Sequence, residues 1–249
     1  MHNAIIVAGA GLLGGAMNAI AGGGSFVTLP VLVAVGVPSL FANATSTVAL
    51  VPSALATAFA YRHDFHGFDG VKLSTMAAVS VVGGVIGAIL LINTSQRIFD
   101  NIFPFLLLFG VLVFAFGRKL GEQLRKRVHI HPHALPVVQF FLGVYGGYFG
   151  GAVGVMMLAA WSVLTKATIN SMQASRHLLN ASMNATASAF FIFGGLIYWK
   201  EMAILLVSST IGGYLTGHFG RRLDPAKARI VISCLNAVIT ALVFWRAYR

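Results

Sequence analysis

Arg176, His177, Asn180 and Asn184 interrupt a stretch that is otherwise apolar and runs on through Ala185 to Phe193. Arg176, Asn180 and Asn184 are four apart and share one helix face, with His177 beside them. A guanidinium, an imidazole and two carboxamides in such a setting present hydrogen-bond donors and one permanent positive charge, which suits an anion. Polar side chains inside a membrane span face protein or a water-filled cavity. Two other readings stay open: Arg176 and His177 could snorkel at a membrane edge, and the two asparagines could bond between helices.

A second kind of site comes from the glycines. Gly9 to Gly24 is apolar but ends in Gly22-Gly23-Gly24, followed by Ser25 and, further on, Pro30. Glycine costs about 1 kcal/mol per residue in a helix, so three in a row predict a break. If the break lies at mid-membrane, the helix after it directs unpaired amides and a positive dipole end into the protein, which favours an anion. Ser25 could cap that helix or offer its hydroxyl to a ligand. Gly143 to Gly154 is a second version, with Gly151 and Gly154 in the corresponding place. For the pairs Gly83-Gly84 and Gly212-Gly213, close helix packing is the expected role. Asn43-Ala-Thr45-Ser46-Thr, at the start of another apolar segment, adds further donors.

The acids restrict the chemistry. Asp64, Asp69, Asp100, Glu122, Glu201 and Asp224 all fall in or beside expected loops. A cation carrier or carboxylate proton relay normally keeps an acid within a span. Coupling to a proton would need His177 or the substrate itself, and sodium is the other coupling ion left open. No metal site or cofactor is expected: His129-Ile-His-Pro-His133 sits in a basic loop without Cys or carboxylate, and Cys234 is the only cysteine. Arg62, His63 and His66 read as loop residues, and Trp161, Trp199 and Trp245 as interfacial anchors. No nucleotide-binding loop, Ser-His-Asp order or zinc-protease motif appears.

These residues belong to a chain of 249, of which 57% are hydrophobic and 9% charged, with mean hydropathy +0.84. A soluble domain carries about 25% charged residues. The composition therefore predicts a polytopic membrane protein. The formal net charge of +11 sits between apolar runs, where topology and lipid headgroups use it; nucleic acid is not an expected partner. Residues 1–8 lack the basic start of a cleavable signal peptide.

Apolar segments fall at 4–20, 25–37, 40–61, 70–92, 98–117, 137–150, 153–165, 173–197, 202–219 and 228–246. Residues 118–136 form the long polar connection between a first repeat, 1–117, and a second, 137–249. Adding 132 carries Gly11, Gly14, Gly15 and Gly22 onto Gly143, Gly146, Gly147 and Gly154, and Arg97 onto Arg229. Arg118, Lys119, Arg125, Lys126 and Arg127 predict a cytoplasmic central loop, and the basic 220–229 loop the same side. The stretch 137–165 then starts and ends on one side, as two pieces shorter than the roughly 20 residues of a full span. A re-entrant hairpin fits, and by the repeat 4–37 does likewise. The expected fold is all-α: two inverted repeats, each a glycine-broken short-helix hairpin plus three transmembrane helices, with both termini external. Inverted repeats of this kind support alternating access.

Gly15-Ala-Met-Asn-Ala-Ile-Ala-Gly-Gly-Gly24, Leu29-Pro30, Asn43-Ala-Thr-Ser46, Val51-Pro52, Tyr61-Arg62, Gly143 to Gly150, the Arg176–Asn184 stripe and Gly194-Gly-Leu-Ile-Tyr-Trp199 together resemble the sulfite exporter TauE/SafE family over essentially the whole chain. The resemblance implies a multi-pass inner-membrane protein that moves sulfite, sulfonates or related carboxylates. Family members often have an acid where Asn18 stands, a richer glycine pattern than Gly151–Gly154, and Lys where Arg176 or His177 stands here.

The expected function is a secondary transporter, in the exporting sense, of a small organic or sulfur-containing anion. Its expected site is Asn18, Gly22, Gly23, Gly24, Ser25, Asn43, Thr45, Ser46, Gly151, Gly154, Arg176, His177, Asn180 and Asn184. An anion channel would use the same dipoles. An intramembrane enzyme is disfavoured, because no acid, metal cluster or activated nucleophile lies within a span. Substrate identity and oligomeric state are not encoded in any of these patterns.

Overall fold

The computed structural model describes residues 2–60, 62–65, 67–68, 70–127, 134–165, 167, 169–219 and isolated positions from 234 to 245. Nine α-helices are described: α1 His2–Ala21, α2 Ser25–Ala34, α3 Ser39–Ala60, α4 Leu73–Ile92, α5 Gln96–Arg127, α6 Ala134–Tyr148, α7 Val153–Leu164, α8 Ile169–Phe193 and α9 Trp199–Phe219. A single 3₁₀ turn, Arg62–Asp64, follows α3. The expected segment at 228–246 falls largely outside the described residues, as do the 220–229 loop and the His129–His133 run.

Among the described residues, α1, α3, α4 and the apolar part of α5 are long and apolar enough to cross a bilayer. The helix α8 has the length at 25 residues but carries the Arg-His-Asn stripe. The surface is apolar, and the interior holds polar side chains beside its apolar core. Phe193 (91% exposed), Ile5 (70%) and Phe141 (64%) face outward, while Arg176, His177, Thr28, Ser46 and Gln139 are buried. A water-soluble domain would invert that arrangement.

The break after α1 is where the glycines predict it. Gly22 adopts the left-handed region at φ 73°, and α2 starts at Ser25. Pro30 inside α2 removes one ladder donor, and the helix continues past it to Ala34. The second break, between α6 and α7, uses Gly150 at φ 71° and Ala152 at φ 58°.

Two expectations about length change. Segment 4–20 is not a short piece: α1 is a full 20 residues despite Gly9, Gly11, Gly14 and Gly15. Those glycines do not break the helix, because three of them form packing surfaces. A Cβ on Gly15 would overlap the Ser209 carbonyl of α9, one on Gly11 would overlap Ser208, and one on Gly14 would press on Thr28 of α2. The polar connection at 118–136 is also helical in its first part, since α5 continues to Arg127 and reaches 32 residues. At 1.5 Å per residue that is about 48 Å, well beyond the ~30 Å hydrocarbon core.

The α4/α6 contact repeats the α1/α9 contact. A Cβ on Gly147 would overlap the Gly84 carbonyl, and one on Gly87 the Val144 carbonyl. Gly83, Gly84, Gly212 and Gly213 thus serve close packing, as expected. Trp161 departs from the anchor role. It is fully buried, packs at a tilt against Phe68, and donates from Nε1 to Gln139 Oε1 at 3.1 Å. Gln139 in turn donates to Ser80 at 2.8 Å, so this indole joins α7 to α6 and α4. Trp199 and Trp245 are exposed (58% and 66%).

Close approach makes the seam glycines sensitive to one methyl group. Gly15→Ala and Gly147→Ala are expected to destabilise the detergent-solubilised protein by about 1–3 kcal/mol through overpacking. Gly9→Ala, which meets nothing within 4 Å, should be neutral or slightly stabilising in the same thermal-unfolding measurement.

Candidate functional site

The two breaks meet at a buried contact. A Cβ built on Gly22 would lie 3.6 Å from Gly154 Cα, and one on Gly154 would lie 3.6 Å from Gly22 Cα. These are ordinary van der Waals distances, so the two backbones touch without overlap. The Arg176 guanidinium lies against this contact, with Nη1 3.1 Å from the Gly22 Cβ position. Arg176 is 1% exposed and His177 7%, so neither snorkels to an edge. Arg176 Nη2 and His177 Nε2 are 3.0 Å apart. Arg has no acceptor, so the guanidinium donates and Nε2 accepts.

On the other side of Gly22 is a small polar cavity lined by Asn18, Gly22, Ser25, Thr47, Leu50, Ala54, Gly150, Asn180 and Asn184. It offers about 10 Å³ to the centre of a water-sized group, room for roughly one. Asn184 Nδ2 donates to Asn180 Oδ1 at 3.0 Å, so the two amides bond along α8. The Asn184 Oδ1 atom is buried without a hydrogen-bond partner, beside the cavity. No Asp or Glu is buried among the described residues.

The first turns of the helices after the breaks close onto the break residues themselves. In α2 the internal ladder begins with Phe26 N–H to Gly23 O at 3.1 Å, and the N-cap Gly24 has no side chain to satisfy the end. Ser25 is therefore the first residue of the helix rather than its cap, and its side chain lines the cavity. In α7 the ladder begins with Val155 N–H to Ala152 O at 2.9 Å.

Of the residues singled out from the sequence, Asn18, Gly22, Ser25, Asn180 and Asn184 come together in the cavity. Gly154, Arg176 and His177 adjoin it through Gly22. Gly23 and Gly24 complete the first break, where a Cβ on Gly24 would overlap the Gly14 carbonyl. Gly151 lies in the second break, against the Phe149 ring. The first-half donors sit elsewhere. Asn43 Nδ2 donates to the Tyr148 carbonyl at 2.9 Å and holds the end of α6. Thr45 Oγ1 accepts the Tyr198 N–H at 3.1 Å, ahead of α9. Ser46 and Thr28 share a hydroxyl–hydroxyl bond at 2.6 Å, which ties α3 to α2.

Thr47 and Gly150 were missed. Thr47 is four after Asn43 and shares its helix face with Leu50 and Ala54, a spacing visible in the sequence. Gly150 was hidden by register. The 132 offset aligns the seams, but α2 begins at 25 and α7 at 153, so past the seams the offset is 128. In conformation the partner of Gly22 is Gly150, while Gly154 sits in the first turn of α7.

Both left-handed glycines are testable. Gly22→Ala and Gly150→Ala each place a Cβ in a conformation that costs about 1–2 kcal/mol for an L-residue. They are expected to lower the unfolding midpoint, whereas Ala152→Gly should raise it by relieving the same strain.

The sulfite exporter TauE/SafE family profile matches residues 7–243. A probable membrane transporter protein, YfcA, of Escherichia coli is 31% identical over 234 residues, 93% of this chain and 84% of that protein. A probable membrane transporter protein of Haemophilus influenzae is 27% identical over 236 residues, 94% and 89% of the two chains. One from Sinorhizobium is 27% identical over 232 residues, 93% and 87%. No solved structure matches. With its long apolar helices and a match spanning nearly its whole length, the chain is a multi-pass membrane protein and belongs to the sulfite exporter TauE/SafE family, a family of probable membrane transporters.

Proposed function

We infer that this protein is a secondary transporter of a small organic or sulfur-containing anion (sulfite, a sulfonate or a carboxylate), which it binds between the two glycine breaks. The observation that carries the reading is the meeting of Gly22 and Gly154 with the Arg176 guanidinium against them. Backbone amides at two helix starts, a permanent positive charge and the Asn180–Asn184 amides converge there, and no buried acid among the described residues competes with an anion. On this reading Asn43, Thr45 and Ser46 position the breaks, and Asn18, Ser25, Thr47, Asn180 and Asn184 face the substrate.

Alternating access by two inverted repeats, 1–117 and 137–249, is part of the proposal. The helix pairing supports it: the first arm α1 packs on α9 of the other half, and α6 packs on α4 in the same way. The pairs α3/α9 and α8/α4 exchange likewise, and α3 packs on α8. In this arrangement the central connection is cytoplasmic and both termini are external.

The test is flux of radiolabelled sulfite and methanesulfonate in proteoliposomes. Saturable flux with counterflow is expected, and Arg176→Ala or Asn184→Ala should reduce it at least about tenfold, near 1.4 kcal/mol. Unchanged flux in both variants would remove them from the site, and linear flux without counterflow would favour the channel.

A further inference from the structure

We propose that His177 is the proton-coupling site of this transporter, taking up one proton with each anion that binds beside Arg176. The proposal rests on the transport reading above and extends it to the coupling ion.

The geometry fixes the starting state. Arg176 Nη2 lies 3.0 Å from His177 Nε2. Because the guanidinium can only donate, that nitrogen carries a lone pair, so the imidazole is neutral with its proton on Nδ1. A proton arriving at Nε2 would occupy that lone pair. It would break the bond and set two cations side by side in a buried place. The unloaded site therefore holds Arg176 in an intrahelical clasp, beside the Gly22–Gly154 contact rather than free to move into it.

An anion changes both terms. Seated at Arg176, it supplies the negative charge that allows a second positive charge nearby, and it competes with His177 for the guanidinium. Protonation of Nε2 and anion binding then favour each other, and the coupling is reciprocal. One monoanion and one proton cross together, and the loaded site has the same net charge as the empty one. Direction follows from the sum of the anion and proton gradients.

The surroundings single out this histidine. Among the described residues, α8 packs chiefly on α3, α4, α6, α7 and the Arg62–Asp64 turn. The Gly22 break also lies against Arg176; α2 carries no titratable side chain and α1 only His2. α3, α4 and α7 carry no titratable side chain, and α6 contributes only Tyr145 and Tyr148. The turn brings Arg62, His63 and Asp64, all exposed. Arg62 Nη1 donates to the Phe59 carbonyl at 3.1 Å. Within α8 itself Arg176 is the only other charged residue.

The experiment uses full-length protein in proteoliposomes at clamped zero voltage, with methanesulfonate and sulfite as probes. Methanesulfonate has no proton to exchange between pH 5 and 8, so acid-driven accumulation reports a proton carried by the protein. For sulfite, leak of the undissociated acid is common to wild type and variant and cancels in their difference. With pH 5.5 outside and 7.5 inside, the wild type is expected to accumulate the exchanged anion on the order of tenfold above its level at equal pH. His177→Gln, which keeps an acceptor for Arg176, should lose the acid-driven part of the accumulation, whatever exchange it retains at equal pH. A second reading needs no variant: adding the anion to weakly buffered purified wild type should draw about one proton from solution per anion bound. Acid-driven accumulation by His177→Gln equal to wild type, or anion binding without proton uptake, would overturn the proposal while leaving transport intact. Wild type that exchanges neither probe would instead overturn the transport reading, and the coupling with it.

Discussion

The absence of a side chain at a few glycines is the constraint on which the rest of this structure depends. Within a bilayer no hydrophobic force draws helices together, so association relies on van der Waals contact and a few hydrogen bonds. Backbones must then come close. Gly15 against Ser209 and Gly147 against Gly84 bring α1 to α9 and α6 to α4, and at the breaks Gly22 meets Gly154. The first two contacts build the scaffold, while the third brings two interrupted helices together at their exposed ends. A Cβ at Gly15 or Gly147 would push apart the helices of the scaffold, whereas at Gly22 it is the left-handed backbone that favours glycine.

Around that contact the polar groups divide into those that hold the breaks and those left facing the cavity. Asn43 bonds the Tyr148 carbonyl just before the second break, and Ser46 bonds Thr28 just after the first. Gln139, Ser80 and Trp161 form a fully bonded buried chain that fixes α7 to α6 and α4. The cavity is left to Asn18, Ser25, Thr47, Asn180 and Asn184, and the Asn184 oxygen, like that of Asn43, is buried without a hydrogen-bond partner among the described residues. Buried unsatisfied polar atoms are uncommon, and a ligand site is one setting in which they persist.

Much of this was legible because the controlling features are local. Three consecutive glycines announce a break whatever surrounds them, and a four-residue spacing puts Arg176, Asn180 and Asn184 on one face in any helix. What escaped depended on tertiary partners. Thr45 and Ser46 have the same chemistry as Thr47, and only the packing of α3 against α2, α8 and α9 decides which hydroxyl faces the cavity. Gly150 escaped because the repeat slips by four residues between the seam and the break. The length of α1 escaped because the repeat carries the short limb at 137–150 over to 4–20, whereas the glycines of α1 pack against α2 and α9 within an unbroken helix. The extension of α5 reads as a loop by polarity, yet Leu, Arg, Lys, Glu and Gln are all good helix formers. Trp161 shows the same ambiguity, since an indole near a segment end can face either lipid or a buried amide.

The most direct measurement is the position of a bound anion. Selenite, the selenium counterpart of sulfite, scatters anomalously and can be located in crystals of the full chain without interpretation of weak density. If the two breaks form the site, its peak lies between Gly22–Ser25 and Gly150–Gly154, within hydrogen-bonding reach of Arg176 or Asn184. A peak elsewhere in the protein, at a selenite concentration that competes with sulfite flux, would contradict a site built from the two glycine breaks.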